Sequence, residues 1–231
     1  MVLNLLIINP NSSESVTANL AATVKEPESV KLHFYTGPAN SPTEITPETS
    51  NASEQAVLPD LLAKNAIEKY DGFLVCCYSD HPLVGSLKKH TKKPVLGIMQ
   101  ATLLYALSTP LAGKSFILTS VNEWESILDK GIVDFLGNEE NIFPSKKFQR
   151  TKGLDVSVLG LSNPKEFKKI YDRVDSILNK EYKDDHIHTV LLGCAGMAGL
   201  DDKLSASFPG VKFVDSVKIG VEFLASLCRF G

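Results

Sequence analysis

The sequence predicts an α/β protein of two similar lobes, each a mostly parallel sheet flanked by helices. The lobes are expected to be related by pseudo-twofold symmetry, with the active site in the cleft. Three observations lead there. Short apolar runs rich in β-branched residues recur along the 231 residues, separated by segments of helical spacing. Most of these runs lack apolar–polar alternation, the pattern of strands covered on both faces. Three strand motifs also occur twice, in the same order and at a nearly steady offset.

The elements follow in chain order. Leu3–Ile8 is an apolar run with no preceding positive charge, so it reads as a first strand and not as a secretory leader. Lys31–Tyr35 is the second strand. The segment Gly37–Ser50, rich in Pro, Thr, Ser and Asn, is too long for a simple βα turn and reads as a functional loop. Ser53–Lys69 carries apolar residues at helical spacing. Gly72–Cys77 and Pro94–Ile98 are strands, and the run Lys88–Lys93 between them reads as a solvated face. Ser115–Thr119, Val156–Leu159, Thr189–Cys194 and Val211–Val214 complete the strands. Asn163 as N-cap and Pro164 at the first helical position open a helix over Lys165–Lys180.

The repeat organises these pieces. LLIINPNSS from Leu5 matches SFILTSVNE from Ser115, GFLVCCYSDHPL from Gly72 matches TVLLGCAGMAGL from Thr189, and PVLGIMQATLLYAL from Pro94 matches KFVDSVKIGVEFLASL from Lys212. Asn9 to Thr119 is 110 residues, Cys77 to Cys194 is 117, and Gly97 to Asp215 is about 118. The expected lobes are 1–98 plus 213–231, and 99–212.

Composition removes several function classes. Hydrophobic residues are 43% and charged residues 22%, ordinary values that exclude disordered, collagen-like and coiled-coil chains. Lys+Arg is 24 against Asp+Glu 27, a net charge of −3, so no basic excess points to nucleic acid or an anionic membrane. No apolar stretch reaches the length of a transmembrane helix. Four cysteines without a C-x-x-C pair read neither as a disulfide scaffold nor as a zinc site, and suit a reducing, cytoplasmic location. His186-x-His188 lacks a third ligand nearby and reads as a solvated loop. Neither a GxGxxG nor a GxxxxGK[ST] nor a Gly-x-Ser-x-Gly motif is present.

The repeat also selects two cysteines. Cys77 precedes Leu83 by six residues and Cys194 precedes Leu200 by six, a register Cys76 does not fit. Both lie at the carboxyl end of an expected parallel strand, where open α/β sheets bind ligands. Cys76 and Cys228 read as small buried hydrophobes. Two opposed thiols can invert a stereocentre: one thiolate removes a proton from carbon while the other thiol donates to the opposite face. Ala195, Gly196, Met197 and Ala198 would leave backbone N–H groups accessible, and Tyr78, Ser79 and Asp80 supply hydroxyl and N-cap capacity. Asn9, Asn11, Ser12, Ser13, Thr119 and Ser120 follow the paired first strands. Substrate contacts are therefore expected from Asn9, Ser79, Asp80, Thr119 and Gly196. His81 could tune the Cys77 thiolate or touch substrate, or sit at a helix start.

At these residues the chain resembles the aspartate/glutamate/hydantoin racemase superfamily, in its hydantoin and allantoin racemase branch. The matching motifs are INPNSS (Ile8–Ser13), TGPA (Thr36–Ala39), FLVCCYSD, KPVLGI (Lys93–Ile98), LLGCAGMAGL (Leu191–Leu200) and FVDSVKIGV (Phe213–Val221). The resemblance implies two α/β lobes, no metal, no organic cofactor, and Cys77 and Cys194 as the two bases. It suggests substrate contacts near Asn9, Ser79, Thr119 and the amides after Cys194, and it hints at a homo-oligomer. Two positions depart from the family pattern: Gln100 stands where an acidic residue is usual, and His81-Pro82 follow Asp80 where the first cysteine loop often reads Cys-Phe-x-Asp-x-Gly. The expected function is a cofactor-independent racemase acting on a small molecule of hydantoin type, a 5-substituted hydantoin or allantoin. An aspartate/glutamate-type amino-acid racemase and a non-catalytic small-molecule binding protein on the same fold are the alternatives.

Overall fold

The computed structural model describes residues 2–108, 113–161 and 163–230. Residues 1, 109–112, 162 and 231, which the expected lobes include, lie outside the described residues. The chain divides into two compact units, Met1–Ala101 with Val217–Gly231, and Thr102–Ser216.

In chain order the strands are β1 (Leu3–Asn9), β2 (Val30–Thr36), β3 (Gly72–Val75), β4 (Val95–Gly97), β5 (Lys114–Thr119), β6 (Lys152–Gly153), β7 (Ile187–Leu192) and β8 (Lys212–Asp215). The helices are α1 (Glu14–Thr23), α2 (Ser50–Ala63), α3 (Ala66–Lys69), α4 (Pro82–His90), α5 (Ile98–Ser108), α6 (Glu125–Phe135), α7 (Phe167–Ser176), α8 (Asp201–Ser207) and α9 (Ser216–Phe230).

The first unit holds a four-stranded sheet in the order β2-β1-β3-β4, all parallel. β3 and β4 are buried at every position, as continuous apolar runs in a two-side-covered sheet should be. Leu6, Ile8, Phe73 and Val75 on one sheet face pack with Val57 and Leu61 of α2 and Leu83, Val84 and Leu87 of α4. Burying each of these side chains is worth about 1.5–3 kcal/mol relative to leaving it in water.

The second unit repeats the arrangement: a four-stranded sheet ordered β6-β5-β7-β8, all parallel. Phe116, Leu118, Val190, Leu192 and Phe213 pack with Ile170 and Val174 of α7 and Leu204 of α8. Two parallel sheets with the same strand order are the duplicated α/β architecture the repeat predicted.

Four local expectations need correction. The expected strand Val156–Leu159 is not a strand; β5 instead pairs with Lys152–Gly153, and Val158–Gly160 forms a 3₁₀ turn. Asp155 takes a left-handed φ of +56°, which ends the extended backbone before the apolar run begins. Val156 and Leu161 are still buried, so they contribute to the core from a turn. The helix expected over Ser53–Lys69 starts at Ser50 and breaks after Ala63, because Asn65 adopts φ +53° before α3. The Lys88–Lys93 run is only partly a solvated face: Lys93 Nζ donates to the carbonyls of Ile67, Glu68 and Tyr70 at 2.7, 3.3 and 2.8 Å, tying β4 to the end of α3. His188 lies within β7 and not in a loop before it, its Nδ1 3.2 Å from Thr189 Oγ1.

Asn163 caps as its sequence context suggests, its side chain accepting from Lys165 N at 3.1 Å. Pro164 opens a 3₁₀ turn that runs into α7, and a π-helical segment Ile177–Glu181 ends the element. No helix among the described residues is long and apolar enough to cross a membrane.

Candidate active site

In the first unit the carboxyl ends of β1 and β3 carry the chemistry. Asn9 ends β1 and is fully buried. Its Nδ2 donates to Asn11 Oδ1 at 2.8 Å, Thr17 Oγ1 at 3.0 Å and the Ser13 carbonyl at 3.1 Å, and its Oδ1 accepts from Asn11 N. The amide of Asn9 is thus spent on ordering the loop into α1. That loop is held from outside as well. The Pro10 carbonyl accepts from the hydroxyls of Ser41 at 2.6 Å and Ser53 at 2.8 Å. Gly37 N donates to the carbonyls of Asn9 and Asn11, both at 2.9 Å. A Cβ on Gly37 would stand 2.8 Å from the Pro10 and Asn11 oxygens, so this approach requires glycine. The INPNSS and TGPA motifs are therefore one packed structure.

Cys77 lies two residues beyond β3, half-buried, with its Sγ 3.7 Å from the buried Ser79 hydroxyl. Asp80 is exposed, and its Oδ1 accepts from Gln100 Nε2 at 3.3 Å. The N-cap of α4 is His81 and not Asp80. The residue before Pro82 is driven to extended backbone, here φ −69° and ψ 129°, and His81 Nδ1 accepts from Leu83 N at 3.2 Å. His81 is buried, and that burial pushes its pKa down to about 4. A neutral ring whose Nδ1 accepts carries its proton on Nε2. That atom is buried and meets no acceptor among the described residues.

In the second unit Cys194 lies two residues beyond β7, also half-buried. Gly193 N donates to the Leu118 carbonyl at 2.8 Å, and a Cβ there would meet Ile117 Cγ2 at 2.5 Å, so the chain crosses β5 closely just before the thiol. Ala195–Met197 form a 3₁₀ turn, with Met197 N bonded to the Cys194 carbonyl at 3.0 Å. Gly196 is buried there, packed against the Val158 carbonyl. Gly199, at φ +86°, donates its N–H to Asp215 Oδ2 at 2.8 Å. Buried Asp215, at the end of β8, thereby fixes the loop that follows Cys194. Thr119 ends β5, is buried, and its carbonyl accepts from Leu154 N at 2.9 Å.

The other cysteines sit in packing. Cys76 is buried with Sγ 3.9 Å from the Leu74 carbonyl. Cys228 Sγ donates to the Asp71 carbonyl at 3.3 Å, and burial pushes its thiol up to about 11. Among the described residues no group of three His, Cys, Asp or Glu side chains is placed to hold a metal ion.

The structure gathers Cys77, Ser79, Asp80 and His81 beside the Asn9 loop at one sheet's carboxyl end, and Cys194, Gly196 and Thr119 at the other's. Sequence reasoning missed Asp215, Thr17, Ser41 and Ser53 as supports. Only Asp215 carried a signal, as the polar end of an apolar run in FVDS.

Comparison with known proteins shows the family and the fold. The model of the family described as Asp/Glu/hydantoin racemase matches residues 5–224. Protein DCG1 of Saccharomyces cerevisiae is 35% identical over 248 aligned residues, covering 100% of this chain and 98% of that protein. A hydantoin racemase of Rhizobium meliloti is 25% identical, covering 97% of this chain and 88% of its own length. Among solved structures, the allantoin racemase from Klebsiella pneumoniae superposes with a TM-score of 0.81 at 22% identity, covering 99% of this chain and 89% of that one.

Proposed function

We propose that this chain, which belongs to the Asp/Glu/hydantoin racemase family, inverts the chiral carbon of a hydantoin-type compound, a 5-substituted hydantoin or allantoin, by cofactor-independent proton transfer through Cys77 and Cys194. One observation carries this reading. The two sheets share a strand order, and each places a half-buried cysteine two residues beyond its third strand in that order, β3 or β7. A racemase that accepts both enantiomers needs equivalent bases, and a duplicated strand end is a direct way to supply them. The substrate class is supported by the relatives named hydantoin racemase and allantoin racemase.

The chemistry runs as a balanced proton exchange. The Cys77 thiolate removes hydrogen from the ring carbon, and the C–H electron pair moves into the adjacent carbonyl to give an enolate. The Cys194 thiol delivers its proton to the opposite face and becomes the thiolate. The other enantiomer uses the same groups in reverse. An ordinary thiol ionises near pH 8.5, so a modest environmental shift provides the required thiol–thiolate pair near neutral pH. Ser79, close to Cys77 Sγ, is placed to solvate the thiolate form. The amides that open the turn after Cys194 would stabilise the enolate oxygen. Thr119 and Asp80 would line the substrate, and Asn9 would act by holding its loop.

The test is a racemisation screen in heavy water over single enantiomers of allantoin, 5-substituted hydantoins, aspartate and glutamate. Loss of optical rotation with deuterium at the ring carbon of a hydantoin supports the reading. Turnover confined to free amino acids, or ligand binding with no exchange on any compound, contradicts it.

A further inference from the structure

Two buried polar atoms, one on the residue that caps α4 and one on α5, have no partner among the described residues, and their polarities are opposite. His81 Nε2 is a donor, because Nδ1 is occupied in accepting from Leu83 N. Gln100 Oε1 is an acceptor, because Gln100 Nε2 is occupied in donating to Asp80 Oδ1. The two residues are linked through Asp80, the chain neighbour of His81 and the hydrogen-bond partner of Gln100. Leaving such atoms unmatched costs about 1–3 kcal/mol each, so each calls for a ligand or a bridging water.

We propose that His81 and Gln100 are specificity residues that read the amide edge of the substrate, His81 Nε2–H donating to a ring carbonyl and Gln100 Oε1 accepting from the adjacent ring N–H. This rests on the proposed racemase function and names what its site selects. One unpaired donor and one unpaired acceptor match the C=O and N–H of a cyclic amide or ureide. They do not match a carboxylate, which offers acceptors only and would leave Gln100 Oε1 unmatched. A neutral imidazole suits this role, since burial of His81 disfavours the imidazolium. The pair therefore favours an amide or ureide edge over a carboxylate. Selection by groups that would otherwise stay unpaired can be strong, because a wrong ligand leaves the buried atoms exposed to that penalty.

The experiment is calorimetric titration of the full-length protein with hydantoin, 1-methylhydantoin and 3-methylhydantoin. The variants are His81→Asn, whose side-chain oxygen can still cap α4, and Gln100→Met. Each variant is expected to bind hydantoin about tenfold more weakly than the parent, with its melting temperature within about 2 °C. One N-methyl compound, the one whose methyl covers the N–H read by Gln100, should bind the parent weakly and lose nothing further in Gln100→Met. Unchanged hydantoin affinity in both variants overturns the proposal and assigns the two atoms to bridging water. Equal weakening of all three ligands together with a lowered melting temperature also overturns it, as does a parent that binds none of them. Deuterium exchange by the parent is scored separately. Exchange with unaltered affinities refutes only the His81–Gln100 assignment, and selective affinity losses without exchange refute only racemisation.

Discussion

Replacing Asn9 by Asp separates scaffold from substrate contact with almost no change of shape. Asn9 Nδ2 has three acceptors within 2.8–3.1 Å, and an aspartate would turn a further acceptor on two of them, Asn11 Oδ1 and the Ser13 carbonyl, while the Thr17 hydroxyl can donate to it. Asn11 cannot relieve this by flipping its amide, because its Oδ1 also accepts from Ser13 N at 2.9 Å. Two lost N–H donors cost about 2 kcal/mol, and apposed buried acceptors about 1–2 more. For a chain of this size 3–4 kcal/mol is a drop of about 10 °C in melting temperature. The loss should also depend on pH. The buried carboxyl would have a pKa above its unfolded value of about 3.9, so the protonated form, with one O–H to donate, recovers stability at low pH. Stability relative to the parent is then lost as pH rises through the raised pKa. Thermal unfolding of both proteins at pH 5 and pH 8 measures this. A variant melting within 1 °C of the parent at pH 8 would refute the assignment of Asn9 as the organiser of its loop.

Gly37→Ala should destabilise by about 2 kcal/mol, since its Cβ meets backbone oxygens at 2.8 Å, whereas Gly85→Ala, in open space on α4, should be neutral or gain up to about 1 kcal/mol; urea titration distinguishes them. Buried His81, with its pKa at about 4, stays neutral while the unfolded chain protonates near 6.5, so stability should fall by up to about 3 kcal/mol as pH drops from 6.5 to 4. His81→Asn should flatten that segment of the pH–stability curve. Lys93→Met should remove the three carbonyl contacts at the end of α3 and raise amide exchange over Ala66–Tyr70 at least tenfold, read by hydrogen-exchange mass spectrometry.

The sheets were legible because buried parallel strands are written as uninterrupted apolar runs, as in Phe73–Val75 and Phe116–Leu118. The repeat made the duplicated strand order readable and singled out Cys77 and Cys194 over Cys76 and Cys228. Val156–Leu159 misled because an apolar residue such as Val156 is buried without pairing in a sheet, and a left-handed φ at Asp155 leaves no mark on periodicity. Lys93 looked like one charge in a solvated run, since its carbonyl acceptors lie 23–26 residues away. The polar residues at strand ends were found by type and not by role. Nothing in the sequence says that the Asn9 amide turns inward to Thr17, or that His81 and not Asp80 caps α4.

The central claim is that two cysteines serve opposite faces of one carbon. Deuterium exchange with the single variants Cys77→Ser and Cys194→Ser, started from each enantiomer of a 5-substituted hydantoin, tests it most directly. The two-base account predicts that racemisation falls by at least about a hundredfold in both, a barrier increase of roughly 2.7 kcal/mol. Each variant should retain exchange with only one enantiomer, and the two variants should retain opposite ones. A variant that racemises at the parental rate, or one that exchanges both enantiomers equally, would contradict it.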